Sequence, residues 1–118
     1  MDRAASIVLT DLCNIETQEE QYNWQPFRQG VEICKLYGEE NKGPAAALLR
    51  YAPGAIVPLH QHTGYEHILV LSGSQSDDHA VYGEGTLIIS KPGTLHSVSS
   101  AGGCIVLAIW NSPVEFLP

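Results

Sequence analysis

From Val31 onward, turn-forming clusters break the chain into short pieces. They read GEENKGP, APG, HTGY, SGSQSDD, GEG, KPGT and SSAGG. Glycine supplies the unusual backbone conformations that turns need, and proline removes a donor and ends helices. Between the clusters stand segments rich in branched and apolar residues: Val31–Tyr37, Ala45–Tyr51, Ile56–His62, His67–Leu71, His79–Tyr82, Thr86–Ser90, His96–Ser99 and Cys104–Trp110. Many short strands at such spacing predict an all-β sandwich or barrel. The segment Ile15–Trp24 allows a helical turn, but it is acidic and weakly patterned and is read as loop.

The segment Cys104–Trp110 (CIVLAIW) is apolar on both faces. In an antiparallel protein one face of a strand normally meets water. Its outer face therefore needs a cover, either a second layer of the same chain or another subunit.

Composition narrows the functional classes. The 118 residues suffice for one domain, and 44% are apolar. The formal net charge is −7, with only six Lys and Arg. That argues against nucleic acid and against an anionic membrane surface, which both draw affinity from basic residues. No apolar run reaches transmembrane length, and MDRAASIVLTDLCNIETQEEQ is too polar for a signal peptide. Cys13, Cys34 and Cys104 are widely separated and odd in number, so they read as small buried apolar residues rather than a disulfide framework. A soluble protein of a reducing, cytoplasmic compartment is expected.

The stretch GAIVPLHQHTGYEHILVLSG concentrates the chemistry. On a strand, His60 and His62 share a face because side chains alternate. The TGY turn then brings Glu66 to the head of the next strand. Two imidazoles and a carboxylate on one side of an ion leave coordination positions open. His96, just after the Pro92-Gly93 turn, is placed to add a third imidazole. Such nitrogen and oxygen donors suit iron(II), manganese, zinc, nickel and copper. His67 follows Glu66 and should face away, as a packing or interface residue. His79 belongs to a solvated loop with Asp77 and Asp78, which lack the spacing of a calcium loop. By the same alternation Ile56, Ile68 and Val70 should form a dry wall beside the ligands. Tyr51, Tyr82 and Trp110 are aromatics that would touch a bound molecule or fill the core.

These residues resemble the cupin superfamily. Its first motif, G(x)5HxH(x)3–4E(x)6G, is matched by Gly54, His60, His62, Glu66 and Gly73. Its second, G(x)5PxG(x)2H(x)3N, is matched by Gly85, Gly93 and His96. Lys91 stands at the proline position, with Pro92 next, and Ser100 at the asparagine position. Within the superfamily the chain is similar to the ChrR-type cupins, although His67 stands where that branch commonly has a second glutamate. The resemblance implies a double-stranded β-helix, an all-β barrel of antiparallel sheets spanning 31–118, with 1–30 as an extension packed on it. It implies one divalent transition metal (Fe, Zn, Mn or Ni) on His60, His62, Glu66 and His96. Glu66 is alternatively a proton-handling neighbour. It also implies a small-molecule ligand and a homodimer. The expected activity is that of a metal-dependent oxygenase of unspecified substrate. The alternative is a non-catalytic zinc- or ligand-binding sensor. With no sigma-binding domain ahead of the barrel in these 118 residues, anti-sigma activity is not expected.

Overall fold

A computed structural model describes residues 6–118, so the first five residues of the expected N-terminal extension lie outside the described residues. Among the described residues there are eleven strands: β1 (Gln25–Arg28), β2 (Val31–Tyr37), β3 (Ala45–Tyr51), β4 (Ala55–His62), β5 (Glu66–Gly73), β6 (Gln75–Ser76), β7 (Val81–Tyr82), β8 (Leu87–Ser90), β9 (Leu95–Ser100), β10 (Cys104–Trp110) and β11 (Val114–Phe116). They form two sheets, ordered β1-β2-β3-β10-β5-β8 and β11-β4-β9-β6-β7. Every pairing is antiparallel. The expected all-β barrel of antiparallel sheets is what the chain forms.

The inner faces meet in one core. Val31, Ile33, Leu49, Ile68, Val70 and Val106 come from the larger sheet, and Val57 and Val98 from the smaller. Gly73 lets the sheet close: a Cβ there would lie 2.2 Å from the Gly103 carbonyl oxygen, and its φ of 75° suits glycine.

The two-sided apolar strand β10 sits in the middle of the larger sheet, beside β3, whose residues are almost all buried. The cover for its outer face comes from the chain itself. Ile15, fully buried, packs with Leu48, Leu71 and Ile105, and Leu12, Tyr22 and Trp24 join this second cluster. The expectation of plain loop over Ile15–Trp24 is therefore corrected. Short 3-10 turns occupy Leu12–Thr17 and Glu19–Gln21, closed by Gln18 N–H to Ile15 O (2.8 Å) and Tyr22 N–H to Glu19 O (3.2 Å). One docked isoleucine suffices to hold so short a turn, and one residue makes no readable period.

Other boundaries moved for local reasons. His79 and Ala80 leave the expected strand because Asp77 Oδ1 accepts both of their N–H groups (2.8 and 3.1 Å), making a turn before β7. Strands β1, β6 and β11 were not foreseen. They are short and lie at or near sheet edges; Pro26 sits within edge strand β1 and Pro113 just before edge strand β11, positions that tolerate proline. Among the cysteines, Cys104 is buried and Cys34 half-buried, whereas Cys13 is exposed, which corrects the buried reading for that residue. All three are free thiols. No helix among the described residues is long and apolar enough to cross a membrane.

Candidate metal centre and cavity

Strand β4 carries a bulge. Val57 pairs with Val98 and His60 with His96, so Pro58 and Leu59 together oppose Ser97 alone. The bulge shifts the alternation. Ala55, Val57, His60 and His62 are buried, while Ile56, Pro58 and Leu59 are exposed. Ile56 is thus 63% exposed and does not share the ligands' face, contrary to simple alternation from His60.

Inside the barrel three imidazoles converge. One ring nitrogen from each of His60, His62 and His96 lies within 4.8 Å of those of the others. The ring centroids are 4.5–5.2 Å apart and meet edge to face. The other nitrogens of the β4 pair are held from behind. His60 Nδ1 bonds the Pro58 carbonyl at 2.9 Å. His62 Nδ1 bonds the carbonyl (3.1 Å) and hydroxyl (2.9 Å) oxygens of Thr94. Thr94 is fixed in turn by donating its hydroxyl to Lys91 O at 2.6 Å. Gly93 N–H donates to His62 O (2.7 Å), tying the turn before His96 to the strand that bears the other two histidines. With Nδ1 donating to a backbone oxygen, His60 keeps Nε2 as its lone-pair nitrogen, the usual arrangement of a ligating histidine, whereas His62 Nε2 carries a proton toward Glu66 when no ion is bound.

Glu66 heads β5 opposite Trp110. Its Oε1 lies 3.0 Å from His62 Nε2, and its Oε2 accepts the Trp110 indole N–H at 2.7 Å. Burial alone pushes the Glu66 carboxyl up, but the bond to His62 and the facing imidazoles hold it below the ordinary carboxylate range. Burial lowers His62, yet Glu66 and the Thr94 carbonyl raise it more. His60 is lowered, first by burial and then by His62 and Arg28. His96 is pushed down to about 4, by burial and by the His60 and His62 rings.

A cavity of about 240 Å³ opens on this cluster. His60, His96 and Glu66 face it, and Leu49, Tyr51, Val57, Ile68, Val98 and Trp110 make its walls. Phe27, Arg28, Glu40, Asn41, Gln75, Val114 and Phe116 complete it.

A family model described as the ChrR Cupin-like domain matches residues 14–113. The chain belongs to that family. Among its relatives this cupin is 33% identical over 100 residues to the anti-sigma-E factor ChrR of Cereibacter sphaeroides, an alignment covering 82% of this chain and 46% of that protein. The chain thus spans less than half of that relative's length. It also resembles a crystal structure of Rhodobacter sphaeroides SigE in complex with the anti-sigma ChrR, at 30% identity and TM-score 0.67, covering 78% of this chain and 50% of that one. An acetylacetone dioxygenase from Acinetobacter johnsonii shares the fold at 14% identity, with TM-score 0.75 and coverage of 96% and 77%.

The cupin's first motif is fully visible in the structure, with His60 and His62 on β4, Glu66 opening β5 and Gly73 closing it. Its second motif departs without losing His96. Ser100, at the asparagine position, is buried and donates to Ser74 O at 2.6 Å, a structural tie between β9 and the loop before β6. His67 is half-buried on the outer face, away from the triad, and His79 is exposed. Of the expected wall residues, Ile68, Tyr51 and Trp110 do line the cavity of the cupin. Val70 is fully buried in the core and does not line it, and Tyr82 bonds Asp77 at 2.9 Å instead. Sequence reasoning missed Arg28, Glu40 and Phe116. Phe116 carried no local signal, since it reaches the site only because β11 pairs Phe116 with His60.

The donor set fits a divalent transition ion. His96 Nε2 is buried with no hydrogen-bond partner. An imidazole nitrogen so placed costs free energy unless something accepts its lone pair or its proton. Its neighbours are two more imidazoles whose backs are already bonded to oxygen atoms. That is the arrangement metal ligation satisfies.

Proposed function

We propose that this chain is a metal-dependent cupin acting on a small molecule. His60, His62 and His96 would hold one divalent transition ion, with Glu66 as the fourth donor. The orphaned, buried His96 Nε2 in the wall of the cavity is the observation that carries this reading. Iron, manganese, nickel and zinc all accept such donors. Bound iron(II) would supply oxygen chemistry, and any of the four would supply Lewis acidity. The chain's own residues do the remaining work. Leu49, Val57, Ile68 and Val98 exclude water from the cavity. Trp110 orients Glu66, whose Oε1 faces His62; if Glu66 does not ligate the ion, it is the group that would take or return a proton.

Elemental analysis of protein purified without added metal tests the site. The wild type should carry about one ion per chain, and a His60→Ala, His62→Ala variant should carry none. Full metal content in that variant would place the ion elsewhere. An oxygen electrode then tests the activity, comparing Fe(II)- and zinc-loaded protein on a panel of dicarbonyls and phenols. Oxygen uptake by the iron form alone supports an oxygenase.

The identity to ChrR favours a second reading, a zinc- or ligand-binding sensor whose output is a protein contact. Silence of both metal forms on the panel, with tight zinc retention, would select it. For assembly, the outer face of the larger sheet keeps Tyr65, Leu87, Ile89 and Ile109 exposed. That face supports a homodimer, which sedimentation at micromolar concentration would test: a sole 12.8 kDa species would refute it. The three free thiols support a reducing, cytoplasmic setting.

A further inference from the structure

The mouth of the cavity is built unlike its walls. Arg28, at the end of β1, lines it and is exposed there. Its guanidinium lies 3.8 Å over the Phe116 ring and 5.2 Å from the centroid of Phe27. Phe116 in turn packs on His60, with ring centroids 5.4 Å apart. The cation is thereby pre-positioned one aromatic ring away from the triad. It is also unspent. Among the described residues the ion pairs are Lys35–Glu39, Arg50–Glu19, Arg50–Glu32 and His62–Glu66, and none engages Arg28.

Glu40, half-buried, lines the same cavity. It is near enough to act on Arg28 electrostatically, but outside ion-pair distance. Its Oε2 is buried and has no hydrogen-bond partner. A buried acceptor left unpaired is costly, and an O–H or N–H from a bound molecule would satisfy it. So the mouth offers a planar, multidentate donor and, beside it, an acceptor. The interior beyond is largely aliphatic and aromatic. The cavity, at about 240 Å³, falls below the ~300–1,000 Å³ that drug-sized molecules occupy.

We infer that the cavity's ligand is a small α-substituted carboxylate. Its carboxylate is held by Arg28, its α-hydroxyl or α-amino group donates to Glu40, and its apolar body points toward the triad. Arginine is the side chain that reads a carboxylate through paired hydrogen bonds. This assignment rests on reading the cavity as the substrate site. It goes further in naming what recognises the substrate and which end enters last.

Calorimetric titration of the full chain with lactate, α-hydroxyisocaproate and mandelate tests it, each beside its methyl ester and its deoxy acid. At least one hydroxy acid should bind about tenfold or more tightly than its ester, the scale of one charge-assisted contact. Arg28→Gln should abolish that preference. Glu40→Gln should remove the advantage of the hydroxy acid over the deoxy acid and leave the preference for acid over ester. Both residues lie at the rim, and circular dichroism and the melting temperature check that each variant is folded. Metal content is measured on the same samples and should be unchanged in Arg28→Gln. Binding of acids and esters alike, an acid preference that survives Arg28→Gln, or no binding by any acid overturns the inference. A metal-free wild type that still prefers acids through Arg28 would overturn the metal reading and leave this one standing.

Discussion

Trp110 Nε1 donates to Glu66 Oε2 at 2.7 Å, joining the end of one central strand to the start of its neighbour inside the barrel. The bond fixes which oxygen of Glu66 is left for His62. Because Trp110 and Glu66 are both buried, water does not replace the indole when it is removed.

Trp110→Phe is therefore expected to cost about 1.5–3 kcal/mol, the range for a hydrogen bond to a charged group. It should also weaken metal binding about 10–100-fold, the usual effect of losing a partner that orients a ligand. Urea unfolding and competition with a metal chelator measure the two effects. Unchanged metal affinity would show that Trp110 serves packing alone.

Metal affinity should depend on pH through one histidine before the others. His60 and His96 are both held below the ordinary 6.5, and His96, at about 4, stays neutral in mild acid. His62 is raised above 6.5 by Glu66 and the Thr94 carbonyl, so its proton is the one that competes with an ion. Apparent affinity should fall about tenfold per pH unit below the His62 value, as expected for one competing proton. Chelator competition between pH ~8 and ~6 reads this, and a flat profile would count against histidine ligation.

The metal-free protein carries the opposite signature at His96. Its folded value of about 4 lies below the 6.5 of an unfolded chain, so the unfolded state takes up the proton first. That contribution to stability is complete above 6.5 and is lost as pH falls toward 4. Thermal midpoints of chelator-treated protein should decline across this window, and His96→Gln should flatten the decline.

Ile15→Ala should cost about 2–5 kcal/mol, the range for truncating a fully buried isoleucine. It would loosen the cover over Leu48 and Ile105 and expose apolar surface. Chemical denaturation with a dye-binding assay for exposed apolar surface would measure both. A cost below ~0.5 kcal/mol, typical of surface sites, would mean the N-terminal turns do not seal that face.

Val57 and Ile56 form a matched pair for the bulge. Val57→Ala removes two buried methyl groups and should cost about 1.5–3 kcal/mol. Ile56→Ala, at an exposed position, should stay within ~0.5 kcal/mol. A larger cost at Ile56 than at Val57 would mean that the strand alternates without interruption from His60.

The ligands were legible because each sits at the end of a strand beside a glycine- or proline-marked turn. His60, His62 and Glu66 are close in sequence, and His96 is read from the Pro92-Gly93 turn before it. Strands β2, β3 and β10 were legible residue for residue, because β3 and β10 are largely apolar runs, β2 alternates apolar with polar residues, and strong turn signals flank them. The mouth of the cavity was not. Arg28 and Phe116 lie near opposite ends of the chain, on strands of four and three residues. They meet through sheet closure, which no local pattern records. Ile56 was misplaced for a related reason: alternation counts residues, and a bulge adds one that pairing does not use.

That added residue gives β4 a spare. Val57 and His60 would both still point inward if only one residue stood between them, because a spacing of two preserves the face. Leu59 is the position where a deletion is neutral to the strand's phase. Losing Gln61 instead would place His60 and His62 next to each other, on opposite sides of the sheet. The five residues between Gly54 and His60 are thus one more than the barrel needs to bury its histidines. A chain of this kind can shorten at Leu59 by one residue while its triad stays inside.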